Sequence, residues 1–320
     1  MPSLFRRRDE RAESNALLAK NVSSVLRNRI IPLTNMSKLH RLSPERLRTE
    51  WNIVVQDLDL RTGQPPRGHA FIQPIPMETV SDWLQEFRPW EQQDGLTGCG
   101  DFDLIGTYNP QRDYRRGMSQ SFGIRRMVNN YITSCYREEK GSMIQNRTAW
   151  RESLIPMGRL QHRGEPDRNW GISLMLHQSD PRDAGKPYIL NTRQNERVPH
   201  FACFLHDDVL LVDDKSLSSA ELCTIFILAL HISCLRMYEH VVVIPITVYS
   251  CSGWQVRIVQ GCIDFRNLQF DIRCSKILDF NTGGVRDTEE NLQRFMTLLG
   301  WVLGKPVGDV EQPQYSTRRR

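Results

Sequence analysis

Apolar positions are concentrated in the last third of the chain, where their spacing predicts a succession of strands and helices. An apolar run at residues 201–205, a turn at 207–208 and a second apolar run at 209–212 predict a β-hairpin. The Ser-Ser-Ala-Glu sequence at 218–221 has the spacing of a capping box, so a helix should begin there. The residues that follow, to about Tyr238, are apolar on nearly every side, which places this helix in the core.

Three strand-like segments and a final helix follow this buried helix. Residues 241–249 are rich in β-branched and aromatic side chains, whereas 254–263 and 268–274 alternate apolar with polar positions. We therefore expect one buried strand and two strands with a wetter face. Thr288 can cap the last helix. The whole module, over residues 196–306, reads β-β-α-β-β-β-α and predicts an α+β fold in which helices pack on a mixed or antiparallel sheet.

The chain before this module predicts a further α+β region, over residues 46–195. A strand follows Trp51, a helix should start at Pro76 with its apolar residues along one stripe, and residues 170–178 read as another strand. The Pro, Gly and Asp residues at 179–187 indicate either a boundary between two domains or a long loop inside one.

Charge is unevenly distributed along the chain. The net charge is +5, and residues 1–50 hold 11 Lys and Arg against 5 Asp and Glu. Residues 1–45 have little periodic apolar character and predict a mobile basic arm, and residues 307–320 predict a frayed tail. A basic cluster in the arm fits phosphate contact or nuclear import, although short basic clusters are also common at chain ends. This cluster is Arg6, Arg7 and Arg8.

A second basic stretch lies in the middle of the chain, where arginines are interleaved with aromatic residues. Arginines that pair with phosphates, beside aromatic rings that stack on bases, are typical of binding to single-stranded nucleic acid. The alternative is an amphipathic helix that buries its apolar face and leaves the arginines in solvent, and the helical spacing favours it. The candidate nucleic-acid contacts here are Arg112, Arg115, Arg116, Arg125 and Arg126.

The order helix, three strands, helix is also the order of restriction-endonuclease-like folds, whose metal site combines an acid on the second strand with an acid-x-lysine pair on the third. Here Asp264 ends the second strand, and Asp271 and Arg273 stand two positions apart on the third, so that both point to one face. Arginine stays protonated and cannot act as a base, so it departs from the lysine of that pattern. A metal-dependent nuclease that uses these three residues is an alternative hypothesis.

No metal or cofactor site is predicted. The eight cysteines never stand at C-x-x-C spacing, and the eight histidines form no H-E-x-x-H or other regular ligand pattern. A glycine-rich stretch at 94–106 lacks the G-x-G-x-x-G and Gly-Lys-Ser/Thr patterns of phosphate-binding loops. It therefore reads as a loop beside a short strand at 102–105.

The chain predicts an intracellular protein, in the cytoplasm or the nucleus. Its first residues carry charges where a signal peptide needs an apolar segment, and no apolar run approaches the length of a membrane span. Membrane partners are therefore not expected.

From His206 to Phe280 the chain resembles uncharacterised proteins predicted from filamentous fungi. The resemblance is carried by the segments DDVLLVDDKSLSSAEL and VRIVQGCIDFRNLQFDIRCSKILDF, and it covers about a quarter of the chain. It implies no activity, cofactor or site.

Together these features predict a non-catalytic interaction or regulatory module. It has a large apolar core and an asymmetric basic head, but no complete catalytic constellation. The expected partner is another protein, with nucleic acid as a possible contact of the basic arm. The alternatives are the nuclease described above and an accessory enzyme whose pocket is assembled from residues far apart in sequence. No oligomeric state is predicted.

Overall fold

The structure is a computed structural model, and it describes residues 16–34, 41–89, 114–133, 144–152, 170–178, 199–235, 238, 241, 243–280 and 288–308. The helices in these ranges are α1 (16–34, with a π-helical turn at Leu26–Ile30), α2 (Pro44–Trp51), α3 (Met77–Phe87), α4 (Tyr114–Thr133), α5 (Ser219–Ser233) and α6 (Glu289–Val302). The strands are β1 (Arg41–Leu42), β2 (Ile53–Asp57), β3 (Ile72–Gln73), β4 (Trp150–Glu152), β5 (Trp170–Gln178), β6 (Phe201–Asp207), β7 (Leu217–Ser218), β8 (Val243–Ser252), β9 (Gln255–Asp264), β10 (Gln269–Cys274), β11 (Leu278–Asp279) and β12 (Lys305–Pro306).

Eight of these strands form one mixed sheet, in the order β2-β10-β9-β8-β6-β5-β4, with β11 also paired to β9. β2 is parallel to β10 and β6 is parallel to β8, whereas the other neighbours are antiparallel. Two short ladders, β1 with β7 and β3 with β12, complete the described pairing. Helices pack against the sheet, so the predicted α+β fold is confirmed.

Helices cover both faces of the large sheet. The α5 face carries α1 and α5, and the α6 face carries α3, α4 and α6. Along β8, Val248 belongs to the core of the α5 face and Tyr249 to the core of the α6 face, as the two-residue period of a strand requires. Because both faces are covered, the central strands β8 and β9 are buried at nearly every position.

Most of helix α5 is buried, because it packs on the sheet and also contacts α1, whereas His231 in its last turn is exposed. Its start is the predicted capping box. The Ser218 hydroxyl accepts a hydrogen bond from the Glu221 N–H at 3.2 Å, and the Glu221 carboxylate accepts one from the Ser218 N–H at 2.8 Å. Two backbone N–H groups at the helix start are thereby satisfied inside the core.

The prediction of a mobile arm over residues 1–45 is wrong for the part that the structure describes. Helix α1 buries Val25 and Leu33 in the same core as α5. The π-helical turn Leu26–Ile30 shifts the side-chain register within α1, so the buried positions do not recur at a simple helical spacing in the sequence. Residues 1–15 lie outside the described part of the chain.

The predicted hairpin at the start of the C-terminal module is also wrong. Residues 209–212 form no strand, and the side chain of Val212 is 70% exposed. Both edges of β6 are already occupied, by β5 on one side and β8 on the other, so a hairpin partner has no place to pair. The chain instead leaves the sheet after Asp207 and continues as a loop over residues 208–216, here called the β6–β7 loop.

Most of the other predicted elements are present in the described residues. Helix α3 begins directly after Pro76, and α6 is capped by the hydroxyl of Thr288. β2, β4 and β5 come from the predicted region 46–195, yet they share a sheet with strands of the 196–306 module. Val307, the first residue of the predicted tail, donates its N–H to the carbonyl of Phe71 at 2.9 Å.

The predicted strand at residues 102–105 lies outside the described part of the chain. Among the helices that the structure describes, none combines the length and the apolar character that crossing a membrane requires.

Candidate functional site

Strand β2 is the last strand at one edge of the large sheet, and among the described residues it pairs with β10 alone. Asn52, in the left-handed region at φ 49°, ends α2 and turns the chain directly into β2. The Val54 side chain is 52% exposed, which is unusual for a valine in a strand of a packed sheet. The backbone N–H and C=O groups on the outer side of such a strand are available to another extended chain.

A groove of about 810 Å³ runs along this edge and is here called the β2 groove. Residues of β2 and β10 form its floor, and two walls rise beside them. The first wall contains Pro66, Arg67 and His69, and the second contains Pro44 and Lys215. A smaller cavity of about 540 Å³ shares Asp57, Pro66, Lys215 and Cys274 with it, so the groove continues past the end of β2 toward Lys276.

The first wall is attached to the sheet through Gln56. The Gln56 side-chain amide donates a hydrogen bond to Asp271 Oδ1 at 2.8 Å, and its carbonyl oxygen accepts one from the Arg67 N–H at 3.2 Å. Gln56 therefore connects the groove floor on β10 with the wall. Because Gln56 and Asp271 point to the α6 face, this wall lies on that side of the edge.

A buried arginine on β10 fixes the base of the first wall. Arg273 is fully buried, contacts Asp271 Oδ2 at 3.2 Å and donates to the His69 carbonyl at 2.7 Å. Its guanidinium also lies 4.7 Å from the centre of the Phe71 ring. An arginine with a carboxylate, a carbonyl and a ring as partners has its charge compensated inside the protein.

The part of the second wall that contains Lys215 is the β6–β7 loop, which is attached to the α5 face of the sheet. Arg257 of β9 donates to the carbonyl of Asp213 at 3.0 Å and to the carbonyl of Ser216 at 2.7 Å. Asp214 accepts the Ile277 N–H at 2.9 Å. Lys215 then reaches the groove, where its ammonium lies 3.5 Å from the Asp57 carboxylate. These contacts place a lysine at the edge of β2.

Arg257 forms an ion pair with the fully buried carboxylate of Glu221. Its Nε donates to Glu221 Oε1 at 2.8 Å, and its Nη2 contacts Glu221 Oε2. Burial is the largest influence on Glu221 and opposes its ionisation, but the charge of Arg257 and the hydrogen bonds from Arg257 and the Ser218 N–H together lower the Glu221 pKa. Burial likewise works against the charge on Arg257, and Glu221 reverses that effect, so the Arg257 pKa is raised.

Asp207 is a second buried acid beside this ion pair. It accepts hydrogen bonds from the Ser218 hydroxyl at 3.0 Å and from the Val209 N–H at 3.1 Å. Burial first, and then the charge of Glu221, raise the Asp207 pKa to about 7 despite these bonds. Asp207 thus lies at the base of the β6–β7 loop with a proton that neutral pH can remove.

The exposed charges of the β2 groove are not balanced within the described residues. Each acid there has a partner: Asp57 pairs with Lys215, and Asp271 with Arg273. Arg67, by contrast, is exposed and forms no ion pair with any residue that the structure describes. Lys276, where the groove continues, also forms no ion pair in the described part of the chain, but Asp59 and Asp214 line the same cavity, so Arg67 is the uncompensated cation of the β2 groove itself.

The three residues of the nuclease hypothesis do not converge on one site. Asp271 and Arg273 share a face and contact each other. Asp264 instead closes the β9–β10 turn. Its Oδ1 accepts the N–H groups of Arg266 at 2.9 Å and Asn267 at 3.0 Å, and its Oδ2 accepts the Asn267 side-chain amide at 2.8 Å.

The candidate nucleic-acid contacts are only partly visible. Arg6, Arg7, Arg8 and Arg112 lie outside the described residues, and Arg115 and Arg116 lie in the first turns of α4 without described side chains. Further along α4, Arg126 is exposed. Arg125 is half-buried and close enough to His206 to lower the pKa of that imidazole.

His206 belongs to a second polar cluster, on the α6 face. Its Nε2 lies 2.5 Å from the Ser173 hydroxyl and its Nδ1 lies 3.0 Å from the Ser121 hydroxyl, and the Phe122 ring stacks on it at 3.9 Å. Burial, together with the charge of Arg125, lowers the His206 pKa to about 3. A neutral imidazole with both nitrogens paired is a buried polar bridge between β5, β6 and α4.

The sequence pointed to the residues of β10 but not to the edge of β2. The short run Ile-Val-Val-Gln-Asp at 53–57 reads as a strand, and nothing in it tells an edge from a centre. One signal was available in Pro65, Pro66 and Gly68, since such residues cluster in loops that border binding sites. Val54 can be recognised as a candidate contact residue only from its exposure in the structure.

Comparison with known proteins found no matching family model, no matching curated protein and no matching solved structure. Within the described residues, no group of three or more His, Cys, Asp and Glu side chains is placed to hold a metal ion. The resemblance over His206 to Phe280 stays a prediction. The assignment of a site therefore depends on the geometry of the β2 groove.

Proposed function

We propose that this protein is a non-catalytic interaction module that receives an extended segment of a partner protein along the open edge of β2. The carrying observation is the combination of a strand edge that is unpaired among the described residues with a groove of about 810 Å³ that runs beside it. An added strand would satisfy the outer N–H and C=O groups of β2 and cover the exposed Val54 side chain.

A single extended chain fits the groove better than a second copy of this protein does. The walls at Pro66–His69 and at Pro44 and Lys215 stand on opposite faces of the edge. A second copy that approached edge to edge would bring the same two walls against them. A partner segment without attached helices meets no such obstacle, and five residues of strand extend about 17 Å.

A display library of random short peptides, panned on the full chain, tests this proposal. We expect peptides that bind the natural protein and lose binding to Val54→Lys, because a lysine on an edge strand opposes the docking of another strand. Leu17→Lys is the matched control, since Leu17 is 50% exposed on α1 and Val54 is 52% exposed on β2. Only peptides that distinguish these two variants count as edge binders.

Two results of this experiment would overturn the proposal. One is a library that yields no binder sensitive to Val54→Lys. The other is a dimer in sedimentation experiments that Val54→Lys dissociates and Leu17→Lys does not, since a second copy would then occupy the edge.

The nuclease remains a second candidate because Asp271 lines the groove and contacts Arg273. Its test is the cleavage of labelled DNA and RNA with Mn²⁺ and with a chelator. Metal-dependent cleavage that Asp271→Ala abolishes would support it, and cleavage that survives this substitution would remove Asp271 from the assignment. The same samples on a native gel, at two salt concentrations, test nucleic-acid binding by the basic residues.

A further inference from the structure

The charge on the two sides of the β2 edge indicates what the docked segment carries. On the α5 face, Lys215 already has Asp57 as its counter-charge. On the α6 face, Arg67 has no acidic partner among the described residues, and the nearby acid, Asp271, is used by Gln56 and Arg273. Within the described residues, the edge thus offers a cation without a counter-charge.

Arg67 is held at a defined position along the edge. Its N–H is bonded to Gln56 Oε1 at 3.2 Å, and Gln56 and Val54 lie on the same face of β2, two residues apart. A strand docked beside β2 presents alternate side chains to this face at spacings of about 7 Å. One of these side chains lies near Val54 and the next lies near Gln56 and Arg67.

We infer that the partner segment is acidic, with a carboxylate side chain opposite Arg67 and an aliphatic side chain, two positions away, against Val54. This inference rests on the proposed function, because the spacing follows from a strand docked on β2. The carboxylate forms the ion pair that Arg67 lacks, and the aliphatic side chain covers the exposed part of Val54.

A phosphate backbone is the other anion that such a cation could bind. The edge favours a peptide, since the unpaired N–H and C=O groups of β2 match those of another strand.

The test uses the peptides selected on the full chain, with Arg67→Glu as the variant. We expect the edge-binding peptides to share an acidic residue two positions from an aliphatic one, and to bind Arg67→Glu about tenfold more weakly because attraction becomes repulsion. Exchange of that acid for lysine in the peptide should restore binding to Arg67→Glu. Arg126→Glu, an exposed arginine on α4, changes the net charge equally and should leave binding unchanged.

The remaining outcomes contradict either this inference alone or the proposed function as well. Peptides that depend on Val54 but lack the acid, or that bind Arg67→Glu normally, would overturn this inference and leave the proposed function standing. A library without edge binders would overturn both. Labelled oligothymidylate or oligouridylate that binds through Arg67, in the absence of such peptides, would assign the cation to phosphate instead.

Discussion

Two charged regions lie at the two walls of the β2 groove, and they differ in whether each charge has a counter-charge. Behind the β6–β7 loop, Arg257 and Glu221 are fully buried, and the guanidinium has a carboxylate and two carbonyls as partners. At the other wall, Arg67 is exposed beside the edge of β2 and has no acidic partner in the described part of the chain. The first region is complete in the isolated protein, and the second is not.

The contrast separates a structural role from a binding role. A buried ion pair that is also hydrogen-bonded to the surrounding backbone holds elements together, and it offers no unpaired charge to a ligand. A cation and an unpaired strand edge at the surface cost little in the free protein, because water satisfies both. They stabilise a complex only when a partner supplies the hydrogen-bonding groups for the edge and the counter-charge for the cation. Substitutions in the two regions should therefore have opposite effects on stability and binding.

The largest loss of stability is expected from Glu221→Gln. The amide removes the negative charge and leaves Arg257 buried without a counter-charge, which costs about 3–5 kcal/mol of unfolding free energy. Urea unfolding followed by circular dichroism measures it. Glu50→Gln breaks an exposed ion pair with Arg46 and should cost less than about 1 kcal/mol. Equal losses in both variants would contradict the structural role of the buried pair.

The second largest loss is expected from Leu33→Ala in α1. Leu33 is 0% exposed in the core of the α5 face, so its truncation should cost about 2–5 kcal/mol. Leu17→Ala, on the exposed side of the same helix, should change stability by less than about 0.5 kcal/mol. Thermal unfolding of the two variants compares them. A neutral effect of Leu33→Ala would mean that α1 does not belong to the core on the α5 face of the large sheet.

A pH-dependent effect is expected at Asp207, behind the loop. Its pKa is raised to about 7, so the folded protein binds a proton that the unfolded chain releases near pH 4. Stability should therefore fall as the pH rises from about 4 to 7, by up to about 1.4 kcal/mol per pH unit from this group. The comparison of urea unfolding for the natural protein and Asp207→Asn isolates it, because asparagine does not titrate. Parallel pH profiles for the two proteins would contradict the raised pKa.

The smallest effect on stability is expected from substitutions at the edge of β2 and at Arg67. Val54→Lys and Arg67→Glu change exposed side chains and should alter the unfolding free energy by less than about 0.5 kcal/mol. The same urea titrations measure this. A loss of several kcal/mol in either variant would mean that the edge of β2 is part of the core and not a binding surface.

The periodicity of apolar residues predicted which segments form helices and strands better than it predicted which of these elements pair with each other. The capping box at Ser218 and the cap at Thr288 are local signals, and both helices begin where these signals stand. The absent strand at 209–212 shows the opposite case. Its pattern is strand-like, but β5 and β8 occupy both edges of β6, and pairing across the chain is not a local property.

The candidate site was predictable only in part for the same reason. Asp271 and Arg273 stand at strand spacing, and the sequence brings them to one face. Whether Asp264 joins them depends on a turn that uses both of its oxygens, and whether Val54 lies at an edge depends on the order of eight strands. These are tertiary facts, and a single sequence carries no local sign of them.

The most direct test of the central claim is amide hydrogen exchange across β2 in the presence of a peptide selected on the full chain. If the peptide adds a strand to the edge, exchange at alternate residues of Ile53–Asp57 should slow in the complex, since their outward N–H groups become hydrogen-bonded. The same experiment with Val54→Lys should show no such slowing. A peptide that binds tightly and leaves exchange along β2 unchanged would contradict the account.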